Sequence, residues 1–420
     1  MAILKHLLIT LLLFTFFISS NVYAQLSFSG EFRPRAQYRH GWRNLPEKDQ
    51  DPAVFIGQRT RLNLGYKQSD LVTFKVSLQD VRVWGDQSQL VDEANIGVFE
   101  AWADLKVANR LRFKLGRQEL NYDDGYLLGT LNWREAGRSH DIGILKFQDS
   151  TFSAHLAYAY NQNKSTEANT IYTNNYYKSM QYLWLNKELG KAKISLIFLN
   201  RGLQKGDTTV KYSQTIGTNT KIKFGKKLNL TGIYYHQLGK DTLNRKVDAY
   251  MASLKLKYDL TRKTKITIGT DILSGTDASD LGGNTNNTFD ILYGFRHRHF
   301  GNMDYFYLGY TPVSGLRDIM LKFEHKVSDK VKANLDFHGF YGNADIINPS
   351  SIDGEIMDSK LGNEIDFTLT YKPSDLIKVR GGYSQMFGTE TLEVIKGKGD
   401  RDAFANWAWF EISVTPNFLN

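Results

Sequence analysis

Strict alternation of apolar and polar side chains recurs from one end of this chain to the other. In the run GEFRPRAQYRHGW, residues 30–42, the polar face carries Arg33, Arg35 and Arg39, and apolar groups lie between them. A period of two residues is the pattern of a β-strand with two different faces, and helical periodicity is hard to find here. Further runs of this kind occupy residues 59–66, 72–79, 152–160, 318–324 and 364–371.

The connections between these runs fall into two length classes that alternate along the chain. Eight are tight: 67–70, 107–110, 148–150, 187–191, 225–227, 259–263, 328–330 and 372–375. Nine are longer and polar: 41–53, 84–96, 122–137, 161–175, 201–209, 239–246, 275–315, 343–360 and 388–403. Together they join about eighteen strands, an even number with both ends on the short-turn side. An apolar run at 302–310 would break this parity as a strand, so we assign it to the longest loop.

An all-β transmembrane barrel explains these features better than a soluble fold. Many runs reach ten residues or more, whereas soluble strands average about 5–6. The mean hydropathy of −0.40 does not exclude the membrane, because only one face of each barrel strand is apolar. We therefore predict an antiparallel up-and-down outer-membrane barrel of about eighteen strands, with short periplasmic turns and longer extracellular loops. The alternative is a secreted β-sandwich, barrel pair or propeller.

The first 24 residues have the pattern of a signal peptide. A basic start precedes the apolar run 7–18, which is shorter than the roughly 20 residues of a membrane-spanning helix. Val22 to Ala24 then provide small residues of the kind that signal peptidase cleaves after. We predict cleavage after Ala24, which leaves residues 25–420 as one barrel domain. The absence of cysteine excludes disulfides, thiolate metal ligands and a lipid-modified N-terminal cysteine.

The charged faces of the strands must point into the barrel, because Arg or Lys on the lipid face costs roughly 2–4 kcal/mol near the midplane. The predicted basic lumen residues are Arg33, Arg35, Arg39, Arg59, Arg61, Lys75, Arg112, Lys114, Lys221, Lys223, Lys255, Lys257, Lys322, Lys378 and Arg380. The predicted acidic ones are Glu31, Glu100, Asp104, Asp271, Glu324, Asp336, Glu364 and Asp366. This excess of positive charge should enrich anions in the pore, although many of the cations could instead pair with acids and brace the wall.

Catalytic and metal-binding patterns are weak. The chain contains no G-x-S-x-G elbow, nucleotide-phosphate loop or dinucleotide fingerprint. His297 and His299 could share a face of an extended segment, but no carboxylate or cysteine completes a metal site. The acid pairs Glu364/Asp366 and Asp123/Asp124 fit solvated or bracing groups better than glycosidase carboxylates. We predict no enzymatic activity, no cofactor and no metal.

Four segments resemble the alginate-export family of outer-membrane porins. They are LQDVRVWG (78–85), residues 111–147, TFDILYGFRHRHFGNMDYFY (288–307) and residues 361–388. The most specific pieces are Gly116-Arg117-Gln118 with the downstream Trp133, Arg138 and Asp141, and His299-Phe300-Gly301 with Met303-Asp304. The resemblance implies a monomeric barrel of about eighteen strands with an electropositive conduit for an anionic polysaccharide.

These observations lead to one functional hypothesis and two alternatives. We expect a passive channel for anionic solutes, among them acidic polysaccharide or oligosaccharide, with outer-membrane lipid, lipopolysaccharide and the barrel-assembly machinery as partners and no nucleic acid. A porin for neutral nutrients would instead present Trp102, Trp407 and Trp409 to sugars, and an adhesive or structural barrel would be blocked by loop 275–315. The side chains expected to meet solute are Arg33, Arg35, Arg39, Arg59, Arg61, Lys75, Glu100, Arg112, Lys114, Arg117, Lys322, Glu364, Asp366 and Arg380.

Overall fold

The computed structural model describes residues 24–90, 95–168, 170–174, 176–206, 208–306 and 313–419. The predicted signal peptide lies almost wholly outside these residues, so cleavage after Ala24 stays a prediction. From Ala24 onward the described chain is almost entirely β-strand and loop.

Eighteen long strands form one closed antiparallel barrel, which confirms the predicted fold class. Each strand pairs with the next along the chain, and the first pairs with the last long strand to close the sheet. The first nine are β1 (Ala24–His40), β2 (Ala53–Gln68), β3 (Val72–Val83), β4 (Gly97–Ala108), β5 (Leu111–Gln118), β6 (His140–Gln148), β7 (Phe152–Tyr160), β8 (Ser179–Leu189) and β9 (Ala192–Gln204). The others are β10 (Val210–Phe224), β11 (Leu228–Lys240), β12 (Lys246–Asp259), β13 (Thr264–Leu273), β15 (Leu316–Lys326), β16 (Val331–Tyr341), β17 (Lys360–Tyr371), β18 (Ile377–Gly388) and β19 (Ala405–Val414).

The remaining elements are short. Two further strands, β14 (Thr285–Asn286) and β20 (Asn417–Leu419), pair with β12 and β1. Helix α1 (Glu390–Lys396) lies between β18 and β19, and two 3₁₀ turns, η1 (Ala278–Asp280) and η2 (Arg296–Arg298), lie between β13 and β15. No helix in the described part of the chain is both long and apolar enough to cross a membrane.

The connections alternate between the two ends of the barrel, and most have the predicted length class. Two of the predicted long loops are shorter than expected, because 205–209 and 241–245 have the same length as the turn 372–376 at the other end. The described part of the apolar run at 302–310, residues 302–306, belongs to the long loop between β13 and β15 and is not a strand. This loop and the one between β5 and β6 fold into the barrel.

The two faces of β1 confirm the predicted orientation. Arg33 and Arg35 keep only 5% and 2% of their surface exposed, whereas Phe32 and Tyr38 keep 42% and 38%. The arginine face therefore points into a filled lumen and the apolar face points outward to lipid.

Pro34 lies on the closing seam of the barrel, where β1 meets β19. The register along this seam pairs Phe32 with Val414 and then Arg35 with Glu411, and no pair forms at the two positions between them. On its other side Pro34 pairs with Gln58 of β2 without interruption. The missing N–H of proline thus falls at a local gap in the ladder, where it removes no hydrogen bond.

Candidate functional site

Two long loops cross the lumen and together form a septum. The first plug loop (residues 119–139) connects β5 to β6, and the second plug loop (residues 287–306) precedes β15. Their apolar side chains are as buried as a protein core, with Leu128 at 1% exposure and Phe289, Met303 and Tyr305 at 0%. The first plug loop was not predicted to enter the barrel, whereas the second belongs to the segment 275–315 that we considered as a plug.

The two plug loops hold each other through their backbones. Leu128 and Tyr293 form a parallel β-bridge, and the Gly129 N–H donates to the Tyr293 carbonyl at 3.1 Å. The Phe295 N–H donates to the Gly125 carbonyl at 2.8 Å. These hydrogen bonds satisfy backbone groups that would otherwise be buried without partners, and they join the two plug loops in the septum.

Stacked rings join the same two loops. The imidazole of His297 lies on the Trp133 indole with ring centroids 4.1 Å apart, and that of His299 lies on the Tyr126 ring at 3.7 Å. Burial, reinforced by nearby Lys255, holds the pKa of His299 well below its usual range, so this imidazole is neutral when it stacks. His297 and His299 therefore contact different rings and do not converge on a metal. No group of three or more potential metal-ligating side chains occurs among the described residues.

The arginines of β1 hold the first plug loop against the wall. Arg33 donates to the Asn132 carbonyl at 2.7 Å, and Arg35 donates to the Trp133 carbonyl at 2.9 Å. The Arg35 guanidinium also lies 3.8 Å from the centre of the Trp133 ring and pairs with Glu135. Two of the predicted solute-binding arginines are thus occupied by the protein itself.

The arginines of β2 act in the same way. Arg59 pairs with Glu31 at 2.7 Å and donates to the Glu135 carbonyl at 3.3 Å. Arg61 donates to the Ala136 carbonyl at 3.3 Å and to Gln79 at 2.9 Å. These four arginines, which the sequence predicted to meet solute, therefore anchor the first plug loop.

Two acids of β17 hold the second plug loop. Glu364, which is fully buried, accepts the Met303 N–H at 2.8 Å, and Asp366 accepts the Asn302 N–H at 3.2 Å. Gly301 has a positive φ of 77°, and a Cβ at that position would lie 2.6 Å from the Glu364 carboxylate. The glycine of the HFG motif is therefore required both by backbone conformation and by close approach. Glu364 and Asp366 brace the loop, as one of the sequence interpretations allowed.

Helix α1 closes over the outer edge of the second plug loop. Lys396, in the last turn of α1, donates to the Tyr305 carbonyl, and the Tyr305 hydroxyl donates to the Gly41 carbonyl at 2.7 Å. Burial, together with nearby Arg43, lowers the pKa of Lys396 to about 7. Helix α1 therefore contacts the septum through Lys396, a lysine whose pKa is close to neutral pH.

Five other predicted lumen residues also have partners within the protein. Arg39 donates to Gln37 at 2.7 Å and lies 3.5 Å from the Trp42 ring centre. Lys75 pairs with Glu100, and Arg112 pairs with Asp104 at 2.7 Å. These side chains face inward, and the charges of Lys75 and Arg112 are balanced by these acids.

The predicted inward orientation of Arg117 is wrong. Arg117 lies on the same face of β5 as the outward-pointing Phe113 and Leu115, and it pairs with Asp141 of β6 at 3.0 Å. Strand alternation places the side chain of Gln118 inside instead, where it donates to the Ile142 carbonyl at 3.0 Å. The motif residue Arg117 thus forms a surface ion pair near the long-loop end of the barrel.

A cavity of about 550 Å³ remains between the second plug loop and the short-turn end. Six cationic side chains line it, against two acidic ones, Glu31 and Asp336. Lys322 pairs with Asp336 at 3.1 Å, and Arg380 pairs with the buried Glu411 at 2.6 Å. The cations are Arg33, Arg59, Arg298, Lys322, Lys378 and Arg380.

Two cations of this cavity form no ion pair within 4.0 Å among the described residues. Arg298 is the exposed residue of a loop segment that is otherwise mostly buried, and Lys378 lies on β18 near the short-turn end. Neither forms an ion pair within the residues that the structure describes. A second cavity, of about 420 Å³, lies under the first plug loop and includes Lys114, which also lacks an ion pair there.

Sequence reasoning did not place three residues that shape the site. Glu411 was overlooked because β19 was described by its apolar face, although its period-two position places it inside. Trp133 and Arg298 lie on loops, where alternation gives no orientation. The family motifs contain both loop residues and were the available signal. Trp407 and Trp409 do face inward, but they pack against Trp133 and leave little ring surface for a sugar.

Comparison with known proteins gives one family and a set of similar folds. The family described as alginate export matches residues 24–406. OpdO of Pseudomonas aeruginosa has a TM-score of 0.62 at 12% identity, covering 94% of this chain and 98% of that one, and OccAB4 of Acinetobacter baumannii has the same values. OccD3 (OpdP) of Pseudomonas aeruginosa has a TM-score of 0.58 at 14% identity and covers 94% of this chain and 92% of that one. No curated protein matches by sequence.

Proposed function

Because the chain belongs to the alginate export family and is an outer-membrane β-barrel porin, we propose that it is a gated passive channel selective for anionic solutes, with acidic saccharides as the substrate class. The observation that carries this proposal is the cavity of about 550 Å³ at the short-turn end. Its cations outnumber its acids, and Arg298 and Lys378 keep their charge available to a solute.

The low-dielectric barrel wall strengthens the field of these charges. A cavity lined by one sign of charge concentrates ions of the opposite sign and depletes the others. A guanidinium such as that of Arg298 can bind a carboxylate through two parallel hydrogen bonds. The carboxylates of an acidic sugar chain fit this chemistry better than neutral sugars do.

The septum means that passage of a solute requires the plug loops to move. Both plug loops make hydrogen bonds across the lumen, and their apolar residues are fully buried. The channel is therefore proposed to be closed or narrow at rest. It opens when the second plug loop leaves the acids of β17 or when the first plug loop leaves the arginines of β1 and β2.

A planar bilayer under a potassium chloride gradient tests the selectivity. We expect the reversal potential of the open channel to indicate anion preference, and the double variant Arg298→Ser/Lys378→Gln to lower the anion-to-cation permeability ratio about twofold or more. Lys226→Gln, in the turn between β10 and β11, removes a charge at the same end without touching the cavity. Cation preference in the unmodified protein would refute the proposal.

Arg298 and Lys378 report on selectivity more directly than the arginines of β1 and β2 do. Neutralising Arg33, Arg35, Arg59 or Arg61 would also release the first plug loop, because these side chains hold its carbonyl groups. A change in current would then combine gating with selectivity. Arg298 and Lys378 have no such structural partners among the described residues.

A second candidate is a structural or adhesive barrel whose lumen stays blocked, which the burial of the septum favours. Deletion of residues 288–306 distinguishes the two. Under this alternative the intact protein conducts almost no current under any condition, and the deletion produces a large pore. Under the channel proposal the intact protein shows openings, and the deletion makes them permanent.

The outer-membrane location of the barrel also supports two proposals about its partners. We propose that lipopolysaccharide contacts the outer face of the barrel. We also propose that the barrel-assembly machinery inserts the barrel into the membrane. A monomeric state is proposed from the resemblance. Sedimentation of the purified protein in detergent would reveal a trimer by its mass.

A further inference from the structure

The cavity of about 420 Å³ under the first plug loop has a different character from the cation-rich one. It opens toward the short-turn end between β5 and β10, and partly exposed aromatic rings, amides and hydroxyl groups line it beside the lysines. Concave sites of 300–1,000 Å³ with a few convergent polar groups are the usual form of small-ligand sites. The cavity is therefore large enough for a ligand, and its chemistry indicates which one.

Three rings form a corner on one side of this cavity. The ring of Trp184 on β8 lies 5.1 Å from the Tyr122 ring and 5.1 Å from the His155 ring, measured between centroids. The Tyr122 hydroxyl lies 2.9 Å from Nδ1 of His155, and the Trp184 indole N–H donates to Asp123 at 3.1 Å. These hydrogen bonds fix the rings in place before any ligand arrives.

The corner is not part of the sealed core. Tyr122, His155 and Trp184 are all only partly buried, and all three line the cavity. By contrast, Trp407 is fully buried in the septum. The exposed ring surface of the corner is thus available to a flat apolar partner such as the C–H face of a sugar ring.

Two polar side chains of the same cavity form no hydrogen bond and no close ion pair among the described residues. The Asn121 side chain is exposed on the first plug loop, and the ammonium group of Lys114 contacts only the Trp102 ring, at 3.8 Å from its centre. The nearby acids are already engaged, since Asp123 accepts from Ser195 at 2.6 Å and Glu119 accepts from Asn132 at 3.0 Å. The site therefore offers one amide and one cation to an incoming ligand.

We propose that this cavity is a binding subsite for a sugar acid, separate from the cation-rich cavity. The sugar ring stacks in the aromatic corner, its hydroxyl groups bond to Asn121, and its carboxylate pairs with Lys114. This proposal rests on the proposed transport of acidic saccharides and adds to it a site at which the chain is held by ring stacking as well as by charge. Binding by two kinds of contact distinguishes a uronate from both a simple anion and a neutral sugar.

Two ligands and two variants test the assignment in purified protein by isothermal titration calorimetry. The ligands are a disaccharide of uronic acid units and a neutral disaccharide with the same ring size. Trp184→Leu should weaken binding of both about tenfold, because both lose the stacking surface. Lys114→Gln should weaken the diuronate about fivefold and leave the neutral disaccharide unchanged, because only the diuronate has a carboxylate.

Matched variants keep the result interpretable. Lys226→Gln removes one lysine charge at the same end of the barrel and should leave both affinities unchanged. If Trp184→Leu does not yield a folded barrel, the exposed Asn121→Ala should still weaken both ligands about threefold. The proposal is overturned if Lys114→Gln changes neither ligand or changes both equally, or if Asn121→Ala is silent.

The failure of this subsite and the failure of the proposed function have different signatures. A channel that stays anion-selective through Arg298 and Lys378 but does not bind diuronate here refutes the subsite alone. A channel that binds diuronate in this cavity yet prefers cations in the bilayer refutes the proposed selectivity and leaves the subsite in place.

Discussion

The carboxylate of Glu364 on β17 accepts the backbone N–H of Met303 on the second plug loop at 2.8 Å, in a position without solvent exposure. Loss of this acceptor would leave the buried Met303 N–H without a partner, which costs about 1–3 kcal/mol. The septum thus has a defined point of attachment to the wall, and this attachment can be removed without changing a loop residue.

We expect Glu364→Ala to shift the channel toward the open state. A cost of about 1–3 kcal/mol at this contact corresponds to a change of about 5- to 150-fold in the ratio of released to docked loop. Single-channel recording in planar bilayers measures the result as open probability. The comparison variant is Glu324→Ala, which removes a lumen carboxylate that pairs with Lys332 at 2.6 Å and contacts neither plug loop. Equal open probability in the two variants would contradict the role of Glu364.

The bridge between Leu128 and Tyr293 provides a direct test of whether the two plug loops move together or apart. The chain has no cysteine, so the double variant Leu128→Cys/Tyr293→Cys introduces the sole possible disulfide. Neighbouring residues of a β-bridge lie within the Cα separation that a disulfide requires. We expect oxidation to reduce the open probability and dithiothreitol to restore it, whereas each single variant should not respond to either reagent. An oxidised pair that conducts as before would mean that the septum opens as one piece.

The barrel seam between β1 and β19 depends on one carboxylate among three guanidinium groups. Glu411 is fully buried and lies 2.6 Å from Arg380 and 3.8 Å from both Arg33 and Arg35. Glu411→Gln keeps the shape of the side chain and removes its charge. Breaking a buried ion pair in this way lowers the free energy of unfolding by about 3–5 kcal/mol. Urea unfolding in detergent micelles, followed by tryptophan fluorescence, should show this loss.

The partly exposed Glu324 is again the matched control for the seam. Glu324→Gln should cost no more than about 1 kcal/mol, because its ion pairs are near the rim and are screened by water. A Glu411→Gln variant as stable as Glu324→Gln would show that the three arginines do not need this counter-charge.

The barrel was predictable from the sequence because its physics is local. Each strand alternates with a period of two, and each connection is either tight or long, so strand number, closure and the facing of Arg33 and Arg35 follow from short windows of residues. Arg117 is an exception, because its predicted inward orientation disagreed with the period of two residues along β5. Its position on β5 puts it on the same face as Phe113 and Leu115, and the inward assignment followed the motif instead of the alternation.

The inside of the barrel was not predictable in the same way. Which carbonyl groups the β1 and β2 arginines would bind depends on the path of residues 119–139 across the lumen, and loop paths have no sequence period. Charge counting treated Arg33, Arg35, Arg59 and Arg61 as available to solute, whereas the structure engages them with backbone oxygens. The cations that remain available, Arg298 among them, could be recognised only after those contacts were known.

The docking of α1 onto the second plug loop should depend on pH through Lys396, since burial beside Arg43 lowers the pKa of this lysine to about 7. After release the side chain regains the ordinary value of about 10.4. Between these two values the released state binds more protons than the docked state, so docking becomes more favourable as the pH rises, by up to about tenfold per pH unit.

Below pH 7 both states are protonated, and docking is at its weakest and constant. We therefore expect the open probability to be highest at pH 6–7 and to fall as the pH is raised toward 10, because α1 then holds Tyr305 more firmly. Lys396→Met should flatten this profile, since the neutral side chain has no proton to exchange, and the exposed Lys398→Met should leave it unchanged. Single-channel currents of the unmodified protein and the two variants, recorded at each pH, measure this dependence. If the pH dependence arises elsewhere in the barrel, Lys396→Met will not alter it.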